Sequence, residues 1–413
     1  MYRHALLQDP QQYSLSPISD RKDGIIPVSE KILIFVIDGC PTDYITPETT
    51  PNLYRLGQDG FLKTVLSAMP SVTNVNHATI LTGDFPARHR VVGNYYYDRA
   101  TGAHGFIESS HHMKADSILD LWARQGRSTA LLTVKGKVLE VFGDHVDIGI
   151  NLQRPTAEQL KRYSLPAPPA VDSLDTYDWI FRACYQVMSQ DDPDLVYCTT
   201  NDYMMHNYAP DTPEARAVMG TIDRWIGAIY DLDPAREIYL TADHGMGAKS
   251  RVINIQKKLD QAGFHTYCLL PLKDRYLANH RFQEGGTVYV YVLDPQERDQ
   301  ARTFLEGQDY VQSVLPWQEA AERFRLPADP DAIGDLVALA PEDIAFGELE
   351  GDEAYAPMRT HGSLYEREIP LIAVNARRGP EAYAYSADIV RHILADTQEI
   401  CAAGDLVAAA ASC

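Results

Sequence analysis

The sequence predicts an α/β fold: a layered sheet with crossover helices, carrying a small inserted α+β unit. Three observations lead there. Short apolar runs rich in Val, Ile, Leu and Tyr alternate with helical patterns. Four of these runs stop on charged residues: "KILIFVIDGC" at Asp38, "STALLTVKGK" at Lys135 and Lys137, "DLVYCTTNDYMMH" at Asp202, and "EIYLTADHG" at Asp243 and His244. In open parallel sheets ligands bind beyond the carboxyl ends of the strands, so these ends form one crevice if the strands are neighbours. Between about residues 256 and 350 the pattern changes, which divides the chain into core (1–255), insertion (256–350) and a return to the core (351–413).

In chain order, "KILIFVIDGC" reads as a strand buried on both faces because its apolar residues do not alternate with polar ones. "PSVTNVNHATILTG", residues 70–83, reads as a buried strand passing into a helix, interrupted by Thr73, Asn74, Asn76 and His77. Ser, Thr and Asn favour helix N-caps, where a side-chain oxygen takes an orphan backbone N–H. In "VVGNYYYD" the Gly-Asn pair reads as a turn at Asn94. In an extended segment residues i and i+2 share a face, so Lys135 and Lys137 project two cations together. If the strand ending near Thr200 enters a helical turn, the spacing of four puts Asp202 and His206 on one face. Asp243 and His244 would point apart in a regular strand, and only an irregular turn of the kind Gly245 permits turns both toward one ion.

Within the insertion, "QEGGTVYVYVLD" and "DLVALAPED" read as strands, "QERDQARTFLEG" and "WQEAAERFRL" as helices, and the Pro-rich "LPADPDAIG" as a loop. His361 sits in "MRTHGSLYEREIPLIAV", a polar loop leading into a core strand. The Ala-rich "AAGDLVAAAASC" reads as the end of a helix.

Composition narrows the function. With 37 basic against 57 acidic residues the formal net charge is −20, which argues against nucleic acid or an anionic membrane as partner. A small anionic substrate then needs a local positive island, which the lysine pair would provide. The six cysteines show no metal-type or disulfide spacing. The first thirty residues contain no signal-peptide core, and no segment reaches the ~20 apolar residues of a membrane span, so the expectation is a cytoplasmic protein with reduced thiols.

Three Asp (38, 202, 243) and three His (206, 244, 361) are the count needed by two divalent ions sharing a cleft. Mixed carboxylate and imidazole ligands favour zinc, with Mn²⁺ or Fe²⁺ as alternatives. A divalent ion lowers the pKa of a coordinated oxygen, so Thr73 at a helix start is a candidate alkoxide nucleophile, and the N–H groups behind it suit a phosphoryl oxygen.

At "VIDGC", "PSVTNVNHATILTG", "VVGNYYYD", "NDYMMH", "TADHGMG" and "RTHGS" the chain resembles the alkaline phosphatase superfamily, in its nucleotide pyrophosphatase/phosphodiesterase-like branch. The resemblance implies an alkaline phosphatase-like core, a mostly parallel sheet with helices on both faces. It implies two zinc ions, one held by Asp202, His206 and His361, the other by Asp38, Asp243, His244 and Thr73, with Asn94 hydrogen-bonding a phosphoryl oxygen. The chain resembles most the phosphonoacetate hydrolase family, through "INIQKKLDQAG", "LLPLKDRY", "IGDLVALA" and above all "LLTVKGKVLEVFG". There Lys135 and Lys137 fall at the lysines that grip the substrate carboxylate. That resemblance implies hydrolysis of the C–P bond of phosphonoacetate through a phospho-threonine, by an enzyme whose partner is a small phosphonate and whose assembly allows a homodimer. The alternatives are phosphodiester or nucleotide pyrophosphate cleavage on the same fold, or hydrolysis of another carboxylated phosphonate. Val75 and His77 depart from the family, which commonly has Pro and Asn there.

Overall fold

Apolar runs without alternation must be covered on both faces, and the chain uses them that way. The structure is a computed structural model and describes residues 30–397. The first thirty residues but for Glu30, and the Ala-rich tail read as a helix end, lie outside the described residues. Ile32–Val36 is buried at every position and stands in the middle of a seven-stranded sheet. The order is Phe61–Leu66, Glu368–Val374, Glu237–Thr241, Ile32–Val36, Leu195–Thr199, Thr129–Thr133, Ile148–Asn151. Glu368–Val374 runs antiparallel to both of its neighbours, while the pairings from Glu237–Thr241 to Ile148–Asn151 are all parallel.

Two groups of helices cover this sheet. Pro51–Asp59, Asp175–Gln190 and Pro213–Leu232 pack on one another, as do Thr73–Thr82, Ile118–Arg124 and Gly136–Phe142. No helix among the described residues is long and apolar enough to cross a membrane.

Register fixes where the chemistry sits. Val36 lies level with Thr199 on one side and Thr241 on the other, and Thr133 is level with Thr199. Four neighbouring strands therefore end together, and the residues that follow leave the sheet at one edge.

After Glu237–Thr241 the chain leaves this sheet and builds two others before returning at Glu368. One is antiparallel, in the order Thr266–Leu269, Thr287–Val292, Leu336–Leu339, Ser313–Pro316. The other sets Gly247–Ile253 between Ile344–Phe346 and Glu353–Thr360. Alternation organises Thr287–Val292: Val288, Val290 and Val292 enter one apolar cluster, Tyr289 and Tyr291 the opposite one. Arg298–Glu306 and Trp317–Phe324 are helices as expected. "LPADPDAIG" is not all loop, because Pro330–Ile333 forms a helical turn whose N-cap, Asp329, accepts from the Asp331 N–H. Pro at the first helical position is preset for that role.

The second region presses on the loop that carries His361. The Gly286 N–H donates to the His361 carbonyl at 3.1 Å and the Thr287 hydroxyl to the Gly362 carbonyl at 2.6 Å. A Cβ on Gly286 would stand 2.1 Å from Ser363 Cβ and 2.8 Å from its Cα. Gly286→Ala is therefore expected to cost ~1–3 kcal/mol, the usual range for overpacking, read as a lower midpoint in urea with an unchanged slope.

Candidate active site

Each strand end delivers its side chain through a local device. Asp38 follows Ile32–Val36, and its N–H donates to the Thr200 hydroxyl at 3.0 Å. Gly39, at φ +72°, then turns the chain so that its N–H reaches Asp243 Oδ1 at 3.0 Å; a Cβ there would lie 3.0 Å from Asp202 Cβ. Asp202 precedes the short helix Tyr203–Asn207, and the i, i+4 spacing brings His206 Nε2 to 3.4 Å from Asp202 Oδ2. Past Thr241 the chain is irregular, and His244 Nε2 lies 3.4 Å from Asp38 Oδ1 and 3.3 Å from Asp243 Oδ2. Gly245 contributes differently from the expectation. It is not among the glycines with positive φ; its N–H donates to the Glu366 carbonyl at 2.7 Å, an approach a side chain would crowd. His361 comes from the far end of the chain, stacks on His244 with ring centroids 3.5 Å apart, and lies 3.8 Å from Asp202.

The imidazoles are oriented by the backbone. Nδ1 of His206, His244 and His361 bonds the carbonyls of Arg359, Gly245 and Ser71 at 2.6, 2.9 and 2.7 Å. Each Nδ1 thus carries the proton, and each Nε2 presents its lone pair to the cluster. Those three Nε2 atoms, with Asp38 Oδ1 and Asp243 Oδ2, are buried without a hydrogen bond, while Asp38 Oδ2 and Asp202 Oδ2 meet Lys135 Nζ. Such orphaned donor atoms, facing one another, fit divalent ions, because burying them unsatisfied is costly. Asp202, His206 and His361, with His280, form one group that could hold an ion; Asp38 groups with Asp202 and His244, and again with His77 and Asp243.

Electrostatics agree with a cation-binding role. Burial first, then the Asp202 and Asp243 carboxylates, push Asp38 well above the ordinary carboxylate range. Burial acts in the same sense on Asp202, but Lys135 and His206 outweigh it and hold that group well below the range. Burial lowers His244, and burial with the neighbouring imidazoles takes His361 well below its usual value, so both rings are neutral and free to ligate.

Thr73 is the first residue of the helix Thr73–Thr82, whose N-cap is Val72 and has no side-chain cap bond. Thr73 is therefore not a cap; its hydroxyl is buried and accepts from Lys135 Nζ at 3.3 Å. Asn76 does the local scaffolding: Oδ1 takes the Ala68 N–H at 2.7 Å, and Nδ2 faces the carbonyls of Ala68, Pro70 and Val72. Asn94 Oδ1 accepts the Asn74 N–H at 3.0 Å and Nδ2 donates to the Leu272 carbonyl at 3.0 Å, which leaves the second Nδ2 hydrogen for another acceptor.

The lysines differ from the expectation. Lys135 ends the extended segment as N-cap of the helix Gly136–Phe142, and Lys137 is already helical, so the two do not share a face. Lys135 Nζ lies 2.7 Å from Asp38 Oδ2 and 2.9 Å from Asp202 Oδ2, whereas Lys137 pairs with the buried Asp274. Neither is a solvated turn residue. A cavity of about 270 Å³ opens beside Lys135 and Asp202, lined also by Asn201, Tyr203, Tyr276 and Asn279.

Four site neighbours escaped sequence reasoning as candidates: His77, Asp274, Asn279 and His280. His77 had a signal, since it lies four residues after Thr73 on one helix and so shares its face. Its Nε2 stands 4.0 Å from Asp243, its Nδ1 bonds the Tyr197 hydroxyl at 2.6 Å, and burial lowers its pKa to about 4. The other three come from a polar loop with no period to mark them.

Comparison with known proteins gives the family and the fold. The family described as type I phosphodiesterase / nucleotide pyrophosphatase matches residues 32–364. The structure of phosphonoacetate hydrolase from Sinorhizobium meliloti 1021 in complex with phosphonoformate is 28% identical with a TM-score of 0.79, covering 90% of this chain and 96% of that one. An uncharacterised pyrophosphatase/phosphodiesterase of Schizosaccharomyces pombe is 25% identical over 232 residues, 53% of this chain and 45% of that protein. Human ectonucleotide pyrophosphatase/phosphodiesterase family member 7 is 25% identical over 231 residues, 52% of this chain and 48% of that protein. The chain thus spans about half the length of the curated relatives it matches.

Removing a ligand should exceed the roughly 10–100-fold loss of metal affinity that follows removal of an outer hydrogen bond. If His361 is such a ligand, His361→Ala is expected to weaken divalent-ion binding by at least that much in competition with a chelator.

Proposed function

The chain belongs to the type I phosphodiesterase / nucleotide pyrophosphatase family, and we propose that within it this protein is a zinc-dependent phosphonoacetate hydrolase, with Mn²⁺ or Fe²⁺ as alternative ions. Hydrolysis of a phosphoester or phosphonate is the coarser statement the family and its structural neighbour support. The observation that carries the finer one is a buried ammonium, Lys135, set 3.3 Å from the Thr73 hydroxyl among the Asp and His side chains. The likeness to a phosphonoacetate hydrolase over nine-tenths of the chain supports it.

Two divalent ions held by Asp202, His206 and His361 and by Asp38, Asp243, His244 and Thr73 would supply Lewis acidity and lower the pKa of the threonine hydroxyl. The chain's own groups do the rest. Thr73 Oγ attacks phosphorus, the new P–O bond forms as the P–C bond breaks, and the carbon departs with the electron pair. That charge spreads onto the carboxylate as an enolate, which takes a proton from water to become acetate. The hydroxide that this water leaves attacks the phospho-threonine and releases phosphate, restoring the Thr73 alkoxide. Asn94 offers its remaining Nδ2 hydrogen to a phosphoryl oxygen, and the amides at the start of Thr73–Thr82 favour the same charge.

Charge balance suits an anionic substrate. Asp38, Asp202, Asp243 and Asp274 outnumber Lys135 and Lys137 by two, so two divalent ions turn the centre net positive. Both lysines act by their fixed charge as well as their donors, since each already meets a carboxylate. A second reading, a phosphodiesterase or nucleotide pyrophosphatase, is favoured by Tyr203 and Tyr276 in the cavity lining, because bases are held by stacking.

Phosphate release from phosphonoacetate, measured beside phosphonopyruvate and a nitrophenyl phosphodiester, distinguishes these readings; preference for the diester sinks the phosphonate reading. Thr73→Ala should abolish turnover while, at saturating zinc, the remaining Asp and His side chains keep the zinc content near wild type. A charge-assisted bond to a carboxylate is worth ~1.5–3 kcal/mol, or roughly 10- to 150-fold. Lys137→Gln, which leaves Asp274 a donor, should lower phosphonoacetate turnover by that factor and spare the diester. Lys135→Ala, next to Thr73, should slow both.

A further inference from the structure

His280 belongs to a loop that packs against the metal-binding residues, and no step above uses it. Its ring is buried, with Nδ1 lacking any hydrogen bond. The ring stands edge-on to His206 with centroids 4.5 Å apart and to His361 at 5.4 Å. One ring nitrogen lies within 4.8 Å of ligand atoms of Asp202, His206 and His361. The neighbouring residue engages the same carboxylate, for Asn279 Nδ2 donates to Asp202 Oδ1 at 3.2 Å.

The loop is braced from within. The His280 N–H donates to the Tyr276 carbonyl at 3.1 Å, and the His280 carbonyl accepts from the Gln283 N–H at 3.0 Å. Gln283 Oε1 takes the Asp274 N–H at 2.6 Å. A side chain held this firmly, buried, and left with an unpaired nitrogen beside two other imidazoles lacks only a Lewis acid as partner.

We propose that His280 is a fourth protein ligand of the ion held by Asp202, His206 and His361, with Asn279 orienting the carboxylate beside it. The segment that leaves the main sheet thereby supplies metal ligation as well as cover. This rests on the two-metal reading and adds a residue to it. Both ions would then have four protein donors, Thr73 being the fourth at the other, and His280 would fill a position that a three-ligand site leaves to solvent.

The test measures zinc on purified protein by chelator competition and by cobalt d–d absorption, for wild type, His280→Ala and Asn279→Ala, with unfolding of the metal-free proteins as the check on fold. His280→Ala is expected to weaken one equivalent tenfold or more and to alter its cobalt spectrum; Asn279→Ala should do so to a smaller degree. Two zinc equivalents held as tightly by His280→Ala as by wild type would overturn the fourth ligand, even if turnover fell, because a residue touching only substrate leaves metal affinity alone. If the variant does not fold, wild type loaded with ¹¹³Cd decides: a ¹⁵N–¹¹³Cd coupling on the His280 ring supports the proposal, and its absence overturns it. Wild type that binds neither ion would overturn the two-metal reading itself, and this proposal with it.

Discussion

Three carboxylates buried within a few ångströms of one another are the constraint on which the rest of this structure depends. Asp38, Asp202 and Asp243 are at most 1% exposed. An isolated carboxylate is expensive to bury, and like charges add to the cost. Lys135 answers part of the charge by lying between Asp38 and Asp202, and the imidazole lone pairs around them complete a shell for cations. The level ends of the parallel strands and the left-handed turn at Gly39 bring these groups together where simple packing would keep them apart.

What holds the centre in shape lies one shell out. The Glu366 carboxylate accepts from Lys249 Nζ at 2.8 Å and from the N–H and hydroxyl of Ser363 at 2.9 and 2.5 Å. Its carbonyl receives the Gly245 N–H. One buried residue thus ties the segment after His361 to the segment after His244. The Ser71 hydroxyl donates to the Ser363 carbonyl at 2.8 Å, which extends the tie to the loop before Thr73. Packed interiors transmit small displacements, so the separation of these residues from the reacting groups does not make them bystanders.

The sheet was legible because strands buried on both faces leave an uninterrupted apolar run, and the site because each run ends on a residue type with no packing use. Spacing also located the Asp202 and His206 pair correctly on one helical face. Lys135 and Lys137 show where that logic stops. Their i, i+2 relation holds only if the strand continues, and a helix starting at Gly136 sends the two side chains to different partners. His280 and Asp274 were invisible for another reason: they are brought to the centre by contacts across many residues, and neither period nor motif encodes a contact of that range.

The clasp around His361 also has a consequence for how the protein is made. A centre whose side chains run from Asp38 to His361, with that last histidine donating from its ring to the Ser71 carbonyl and accepting at its own carbonyl from Gly286, is a set of high-separation contacts, slow to close and absent until nearly the whole chain is in place. An ion cannot template such a site early, as it does in a short zinc finger. A bound ion would act by mass action on the finished native state, adding stability that rises with the logarithm of free ion concentration. Ion supply would then shift how much of the chain is folded and leave the path by which it folds unchanged.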